Sequence, residues 1–249
     1  MKTSRRSFLG IAATAIPLQL LNGCGMSQDT NAATVVILID HSDTIAPQDN
    51  ELYLQSIQSV SDGLRGGDRI LIAQIGNSGR AEFLPVFDHT VLQTNIRLDQ
   101  EDAVTAAKEL VTAAMPGLLR QKNVKGTLHT RILETIAAAS QAFRHKTDHR
   151  DRIIILSDGI EDSALADFDG SPTDNVASIV EADFPELFKK LQAADLLPPL
   201  PGVQLSIIGA GGNNYATVQQ FWQQYALRIG ATVRDYGRLP YRDSRRPAL

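Results

Sequence analysis

The strongest constraint on the fold is a regular alternation of short apolar runs with longer segments of helical periodicity. The run "TVVILID" at residues 34–40 is β-branched and almost uniformly apolar, which is typical of a central parallel strand covered on both faces. The next segment, residues 48–64, has apolar side chains on one helical face, at Leu52, Ile57, Val60 and Leu64. This alternation continues to residue 237, so the sequence predicts a doubly wound, mostly parallel α/β sheet flanked by helices.

The remaining elements follow the same pattern. Further strands are predicted in residues 68–76, 81–88, 152–158, 203–210 and 231–237. Further helices are predicted in residues 99–115, 126–146, 184–196 and 217–230, with a loop rich in Asp, Ser and Gly at 160–182. The strand at 81–88 contains Pro85, which has no N–H to donate, and this favours an edge position in the sheet.

The first 23 residues have the composition of an export signal. Lys2, Arg5 and Arg6 precede an apolar stretch at 8–21 that is too short to span a bilayer comfortably. The segment "SRRSFLG" resembles a twin-arginine signal, and "LNGC" resembles a lipobox in which Cys24 is acylated and becomes the new N-terminus. The alternatives are a membrane-anchoring helix or an ordinary signal with an incidental cysteine.

Cysteine usage and charge agree with an exported, lipid-anchored protein. Cys24 is the only cysteine, so no intramolecular disulfide can form. Loss of residues 1–23 removes three basic residues and leaves 21 basic against 28 acidic ones, a net charge near −7, which disfavours nucleic-acid binding. Residues 24–32 are predicted to be a linker, 33–237 the domain, and 238–249 a basic tail that forms a solvated or disordered strip.

Oxygen-bearing side chains occupy the predicted carboxyl ends of two central strands. Asp40 ends the first strand and Asp158 ends the strand at 152–158, and such ends meet at one edge of a parallel sheet. Ser42 and Thr44 follow Asp40 at steps of two, which in an extended loop places their side chains on the same side. Such an all-oxygen set suits Mg²⁺, with Mn²⁺ or Ca²⁺ as alternatives, and suits zinc poorly.

Three fragments together resemble the von Willebrand factor type A family. "DHSDT" at 40–44 resembles its D-x-S-x-S signature with Thr44 in place of the last Ser, "KGTLHTRIL" at 125–133 resembles its G-T loop, and "IIILSDGIEDS" resembles its strand ending in Asp-Gly. The resemblance covers residues 33–237 and implies a Rossmann-like fold with one antiparallel edge strand. It also implies a metal-ion-dependent adhesion site, with these ligands: Asp40, Ser42, Thr44, Thr127 and Asp158. Leu128 departs from the pattern, because an Asp is common there.

The resemblance implies a binding module and no catalysis. Neutral hydroxyl ligands leave a bound cation short of negative charge, so an acidic residue of a protein partner would bind at an open coordination position. The expected protein is therefore a divalent-cation-dependent adhesion or assembly module, lipid-anchored to a bacterial membrane on its extracytoplasmic face. Gly25 stands where an Asp often marks inner-membrane retention, which favours the outer membrane.

Two other functions fit parts of the pattern. Asp40 could be the nucleophile of a Mg²⁺-dependent phosphohydrolase of the haloacid dehalogenase type, but the second Asp expected two positions later is Ser42 here. Ser42 lacks the glycine elbow of a hydrolase nucleophile. A metal-free scaffold of the same fold is the third alternative.

Several residues near the candidate ligands receive structural interpretations. Thr130 competes with Thr127 as the loop hydroxyl but is expected to be an exposed residue one turn into the helix. Glu161 and Asp162 are interpreted as solvated loop acids, with a contribution to the field at the ion or a second cation as the alternative. "GAGGNN" at 209–214 is interpreted as a tight strand-to-helix turn, since it lacks the dinucleotide-binding spacing, and His41 is expected at the rim of the site.

Overall fold

A computed structural model of the chain describes six strands joined by five α-helices within residues 32–41, 49–76, 83, 85–120, 130–143, 150–168, 183–211 and 215–243. The strands are β1 (Thr34–Asp40), β2 (Arg69–Ile75), β3 (Pro85–Thr90), β4 (Arg152–Leu156), β5 (Gln204–Ile208) and β6 (Thr232–Gly237). The helices are α1 (Asp49–Asp62), α2 (Arg97–Arg120), α3 (Ile132–Ala139), α4 (Phe184–Ala193) and α5 (Tyr215–Ile229). Arg5, Arg6, Cys24, Ser42, Thr44 and Thr127 lie outside the described residues.

The strands form one sheet in the order β3-β2-β1-β4-β5-β6. Strand β1 pairs in parallel with both β2 and β4, and its last residues lie opposite theirs, with Asp40 facing Ile75 and Ile39 facing Leu156. Only β3, at one edge and beginning with Pro85, pairs antiparallel within the described sheet. This topology confirms the predicted doubly wound, mostly parallel sheet with an antiparallel edge strand.

Alternate side chains of β1 pack into two separate cores, one on each face of the sheet. Val36 and Leu38 belong to the core that α3, α4 and α5 cover. Val35, Ile37 and Ile39 belong to the core that α1 and α2 cover. Because neighbouring strand residues point to opposite faces, only a uniformly apolar strand can serve both cores. Packing on both faces therefore explains the composition of "TVVILID".

Helix α2 is longer than its predicted range of 99–115, because it continues through Pro116 to Arg120. Proline removes one helical hydrogen bond and disfavours a helix interior. Met115 and Leu118, on either side of the proline, are buried in the same core as α1. Burial of these side chains offsets the cost of the proline. Among the described helices, none has the length and apolar composition that a membrane span requires.

The prediction of a solvated tail after residue 237 is wrong for Tyr241 and Asp243, although Arg242 between them is exposed. Tyr241 and Asp243 are buried, and Asp243 pairs with the buried Arg152 of β4 at 2.9 Å. The N–H groups of Tyr241 and Asp243 donate to Ser56 Oγ at 3.0 Å and Ser59 Oγ at 3.1 Å. The segment therefore lies along α1 and fastens it to the sheet, because a buried arginine needs a buried partner.

Removal of the Asp243 carboxylate is expected to destabilise the fold strongly. Asp243→Ala leaves the Arg152 guanidinium buried without its counter-ion, and such a loss costs about 3–5 kcal/mol of unfolding free energy. The matched control is Asp88→Ala, which breaks the exposed Arg69–Asp88 pair and should cost about 1 kcal/mol or less. Urea denaturation measures both values. Equal small losses for the two variants would contradict a structural role for the tail.

Candidate functional site

The two candidate carboxylates that the structure describes lie at the switch point of the sheet. The chain leaves β1 toward β2 on one side, whereas β4 lies on the other side and leads to β5. Asp40 is the last residue of β1, and Asp158 follows β4 by two residues. Crevices at such a reversal of strand order are where doubly wound sheets bind ligands. The two strand ends are therefore neighbours, as predicted, while the loop at 42–48 lies outside the described residues.

The Ser157 hydroxyl connects the two carboxylates. Its Oγ donates a hydrogen bond to Asp40 Oδ2 at 2.9 Å and lies 3.3 Å from Asp158 Oδ1. It also accepts the N–H of Gly159 at 3.1 Å. A hydroxyl has a single hydrogen and can donate to only one carboxylate at a time. Ser157 therefore lies between two acidic side chains and donates to only one of them at a time.

A sharp turn at Gly159 orients Asp158. The glycine has a φ of 82°, and its carbonyl accepts a hydrogen bond from Trp222 Nε1 at 2.9 Å. The N–H of Ile160 donates to Asp158 Oδ1 at 2.9 Å. Positive φ is a conformation that glycine adopts at little cost, so the Asp-Gly sequence allows the chain to turn directly after the carboxylate.

Gly209 forms the wall of the site next to β4. Its φ is 114°, and a Cβ at this position would lie 2.8 Å from the Ser157 carbonyl oxygen and 2.9 Å from the Tyr53 hydroxyl. No larger residue fits without moving the backbone that carries Ser157. The start of "GAGGNN" thus makes room for the strand end, while residues 212–214 lie outside the described part.

Burial and charge keep the neighbouring side chains neutral. Burial, and then the charges of Asp40, Asp49 and Asp158, raise the pKa of the Tyr53 hydroxyl far above its usual value. Burial lowers the pKa of His41, the residue after Asp40, so its imidazole is neutral at pH 7. Tyr53 and His41 are therefore neutral at pH 7, and Asp49, whose charge acts on Tyr53, forms an ion pair with the cationic Arg238.

The donor set fits a hard divalent cation. Two carboxylates held against one hydroxyl repel each other unless a proton or a cation lies between them, and oxygen ligands suit Mg²⁺ or Mn²⁺. Within the described ranges no group of three or more His, Cys, Asp or Glu side chains is placed to bind a metal. Asp40 and Asp158 could therefore supply two acidic ligands, whereas Ser42, Thr44 and Thr127 lie outside the described residues.

Two interpretations of neighbouring residues are wrong. Thr130 is not an exposed helical residue, because it is buried and precedes α3, which begins at Ile132. Glu161 is not a solvated acid, because its side chain is fully buried and its Oε2 accepts the N–H of Leu133 at 3.0 Å. Asp162 is half-buried, and its N–H donates to the Thr130 carbonyl at 2.9 Å.

Sequence reasoning missed Ser157 and the contact of Glu161 with α3. The position of Ser157 gave a usable signal, because it lies between a buried strand and the candidate ligand Asp158. The contact of Glu161 with α3 left no signal in the sequence, because its partner Leu133 is 28 residues away in the chain. Acids in loops are also usually solvated.

Comparisons with known proteins found structural similarity only. No family model and no curated protein matches the chain. Among solved structures, the PilB minor pilin from Streptococcus sanguinis aligns with a TM-score of 0.47 and 11% identity, over 84% of this chain and 58% of that one. A von Willebrand factor type A protein from Catenulispora acidiphila aligns with a TM-score of 0.34 and 16% identity, over 80% and 43% of the two chains.

A third solved structure, the manganese-loaded TRAP protein of Plasmodium vivax, aligns with a TM-score of 0.36 and 15% identity, over 79% of this chain and 63% of that one. The chain spans less than two thirds of the length of each of these three proteins. Similarity at this level gives no argument about function, which is therefore argued from the site.

Deprotonation of Glu161 is expected to lower the free energy of unfolding as the pH rises. Burial raises its pKa to about 8 in the folded protein, against an ordinary value of 4.5. The folded state therefore holds this proton more tightly, so the stabilisation is complete below about pH 4.5 and is lost as the pH rises through 8. Wild type should lose unfolding free energy relative to Glu161→Gln between pH 5.5 and 7.5, by up to about 1.4 kcal/mol per pH unit.

Urea denaturation of both proteins at the two pH values measures this difference. The control is Glu186→Gln, which changes a fully exposed glutamate on α4 and should leave the pH profile parallel to that of the wild type. A Glu161→Gln profile that is also parallel to the wild-type profile would contradict a buried, titrating Glu161.

Proposed function

We propose that this protein is a divalent-cation-dependent protein-binding domain whose metal site lies at the carboxyl ends of β1 and β4. The observation that carries the proposal is the convergence of Asp40 and Asp158 on the Ser157 hydroxyl at the switch point of the sheet. In this proposal the ligand set is completed by three hydroxyl residues that the sequence motifs predict: Ser42, Thr44 and Thr127.

Mg²⁺ is the proposed cation, with Mn²⁺ or Ca²⁺ as substitutes. All five proposed ligands are oxygen atoms, and the two carboxylates formally balance the charge of the ion. Because Mg²⁺ prefers six oxygen ligands, this set leaves one coordination position open. An acidic side chain of a partner protein can bind the ion at that open position. The partner is accordingly proposed to be a protein surface that presents an Asp or Glu.

A binding role agrees better with the residues present than phosphohydrolase chemistry does. Asp40 is 3% exposed and accepts the Ser157 hydroxyl, and the residue two positions later is Ser42, which is a poor general acid or base. The proposed role is therefore adhesion or assembly of a complex, with the metal as the bridge between two proteins.

We also propose that the protein is exported and anchored to the bacterial membrane through a lipid on Cys24. The support is sequence pattern: Arg5 and Arg6 before a short apolar run, and a single cysteine in "LNGC". Cys24→Ser should move the protein from the membrane fraction to the soluble fraction of cells that express it, as immunoblotting of the fractions measures. If Cys24→Ser stays in the membrane fraction like wild type, the proposed lipid anchor is contradicted.

Mg²⁺ is expected to stabilise wild type and not Asp40→Ala. A ligand that binds only the folded state at 100 times its dissociation constant adds about 2.7 kcal/mol to the unfolding free energy. Thermal denaturation with and without millimolar Mg²⁺ or Mn²⁺ measures the effect, and chelator should reverse it. Asp99→Asn, at an exposed residue in the first turn of α2, is the control and should respond to Mg²⁺ like wild type.

The same proteins test partner binding. A pull-down from membranes with and without chelator should recover a partner with wild type and Asp99→Asn only when the cation is present, and Asp40→Ala should recover none. Absence of any Mg²⁺ or Mn²⁺ effect on the wild-type melting temperature would overturn the proposed metal dependence.

A further inference from the structure

Glu161 occupies an unusual place for an acidic side chain. It lies in the loop after β4, is fully buried, and accepts the N–H of Leu133 in the first turn of α3. Its other oxygen, Oε1, is buried and has no hydrogen-bond partner within the part of the chain that the structure describes. Arg131, which directly precedes that helix, pairs with Glu134 at 3.4 Å. The hydrogen bond from Leu133 is thus the contact that explains the burial of the Glu161 carboxyl group, since Arg131 pairs with Glu134 instead.

Helix α3 lacks a cap of its own. The residue before its first turn, Arg131, makes no side-chain capping hydrogen bond, although the first N–H groups of a helix have no partner within the helix. Capping usually comes from a Ser, Thr, Asp or Asn beside the helix in sequence. Here Glu161, 28 residues further along the chain, supplies the acceptor for Leu133.

A second set of hydrogen bonds holds the same loop against the same helix start. The N–H of Asp162 donates to the Thr130 carbonyl at 2.9 Å. The N–H of Phe168 donates to the Glu161 carbonyl at 2.8 Å, and Asp162 forms an isolated antiparallel bridge with Asp167. The loop 161–168 is therefore a small folded unit that is tied to α3 at both a side chain and the backbone.

We infer that Glu161 is a positioning residue, which holds the Asp158 loop in a fixed position against α3 and so sets the geometry of the candidate metal site. The inference rests on the proposed function, since it concerns cation binding at that site. Asp158 precedes Glu161 by three residues, and Gly159 and Ile160 between them are fixed by hydrogen bonds to Trp222 and Asp158. A displacement of Glu161 is therefore transmitted to the Asp158 carboxylate over a short, ordered segment.

Two substitutions of Glu161 differ in whether they keep an acceptor for the Leu133 N–H. Glu161→Gln retains a carbonyl oxygen that can accept the Leu133 N–H, and it matches the neutral form that burial favours. Glu161→Leu has similar volume and no acceptor, so it leaves the Leu133 N–H buried without a partner. Glu134→Gln, on the same helix, is the control because it removes a charge that acts on Glu161 and leaves the hydrogen bond from Leu133 to Glu161 in place.

Isothermal titration calorimetry with Mg²⁺ at pH 7, on full chains that near-UV circular dichroism shows to be folded, measures the effect. Glu161→Leu should bind Mg²⁺ about tenfold or more weakly, which is in the range of coupling between sites. Glu161→Gln and Glu134→Gln should stay within about threefold of wild type. A purely structural role would lower the melting temperature of Glu161→Leu and leave the affinity of the folded protein unchanged, and that result would overturn the inference.

Hydrogen exchange in wild type tests the same coupling without any substitution. If the contact with α3 favours cation binding, then bound cation must strengthen the contact by the same factor. Saturating Mg²⁺ should therefore slow exchange of the Leu133 amide through local opening by about tenfold or more. The control amides lie in the frayed last turn of α4, and they also exchange through local opening and should keep their rates. An unchanged Leu133 rate in a protein that binds Mg²⁺ would overturn the inference and leave the proposed function intact. Failure of wild type to bind Mg²⁺ would instead overturn the proposed function.

Discussion

The parallel pairing of β1 with β4 is the constraint on which the rest of the structure depends. It buries both faces of "TVVILID", so the two hydrophobic cores share one strand. It also brings Asp40 and Asp158 to the same edge, because both follow the carboxyl ends of neighbouring parallel strands. The apolar stability of the sheet thus holds two acidic side chains near each other, with the Ser157 hydroxyl between them.

Much of the fold was predictable because its signals are local. The uniform hydrophobicity of 34–40, the helical face with Ile57 and Val60, and Pro85 at the start of an edge strand each encode their environment within a few residues. The convergence of Asp40 with Asp158 was predictable for a related reason, since topology alone fixes where parallel strand ends lie. Their metal-binding role, with Ser42, Thr44 and Thr127, stays a prediction.

The features that sequence reasoning missed depend on contacts between distant segments. The tail appeared solvated because it is rich in Arg and Pro, yet Asp243 is buried through its pair with Arg152, and Tyr241 packs with α1. Glu161 likewise looked like a loop acid, and only the position of α3 reveals its partner. In both cases a polar side chain is buried because a group far away in the sequence needs it, which no local pattern encodes.

The proposed function requires a divalent cation at the edge of the sheet between β1 and β4. Anomalous diffraction from crystals of the protein grown with Mn²⁺ locates such an ion itself. We expect an anomalous peak between the Asp40 and Asp158 carboxylates, beside Ser157, and its loss in crystals of Asp40→Ala. Mn²⁺ bound elsewhere on the protein, with no peak at this edge, would show that the metal site does not lie between β1 and β4.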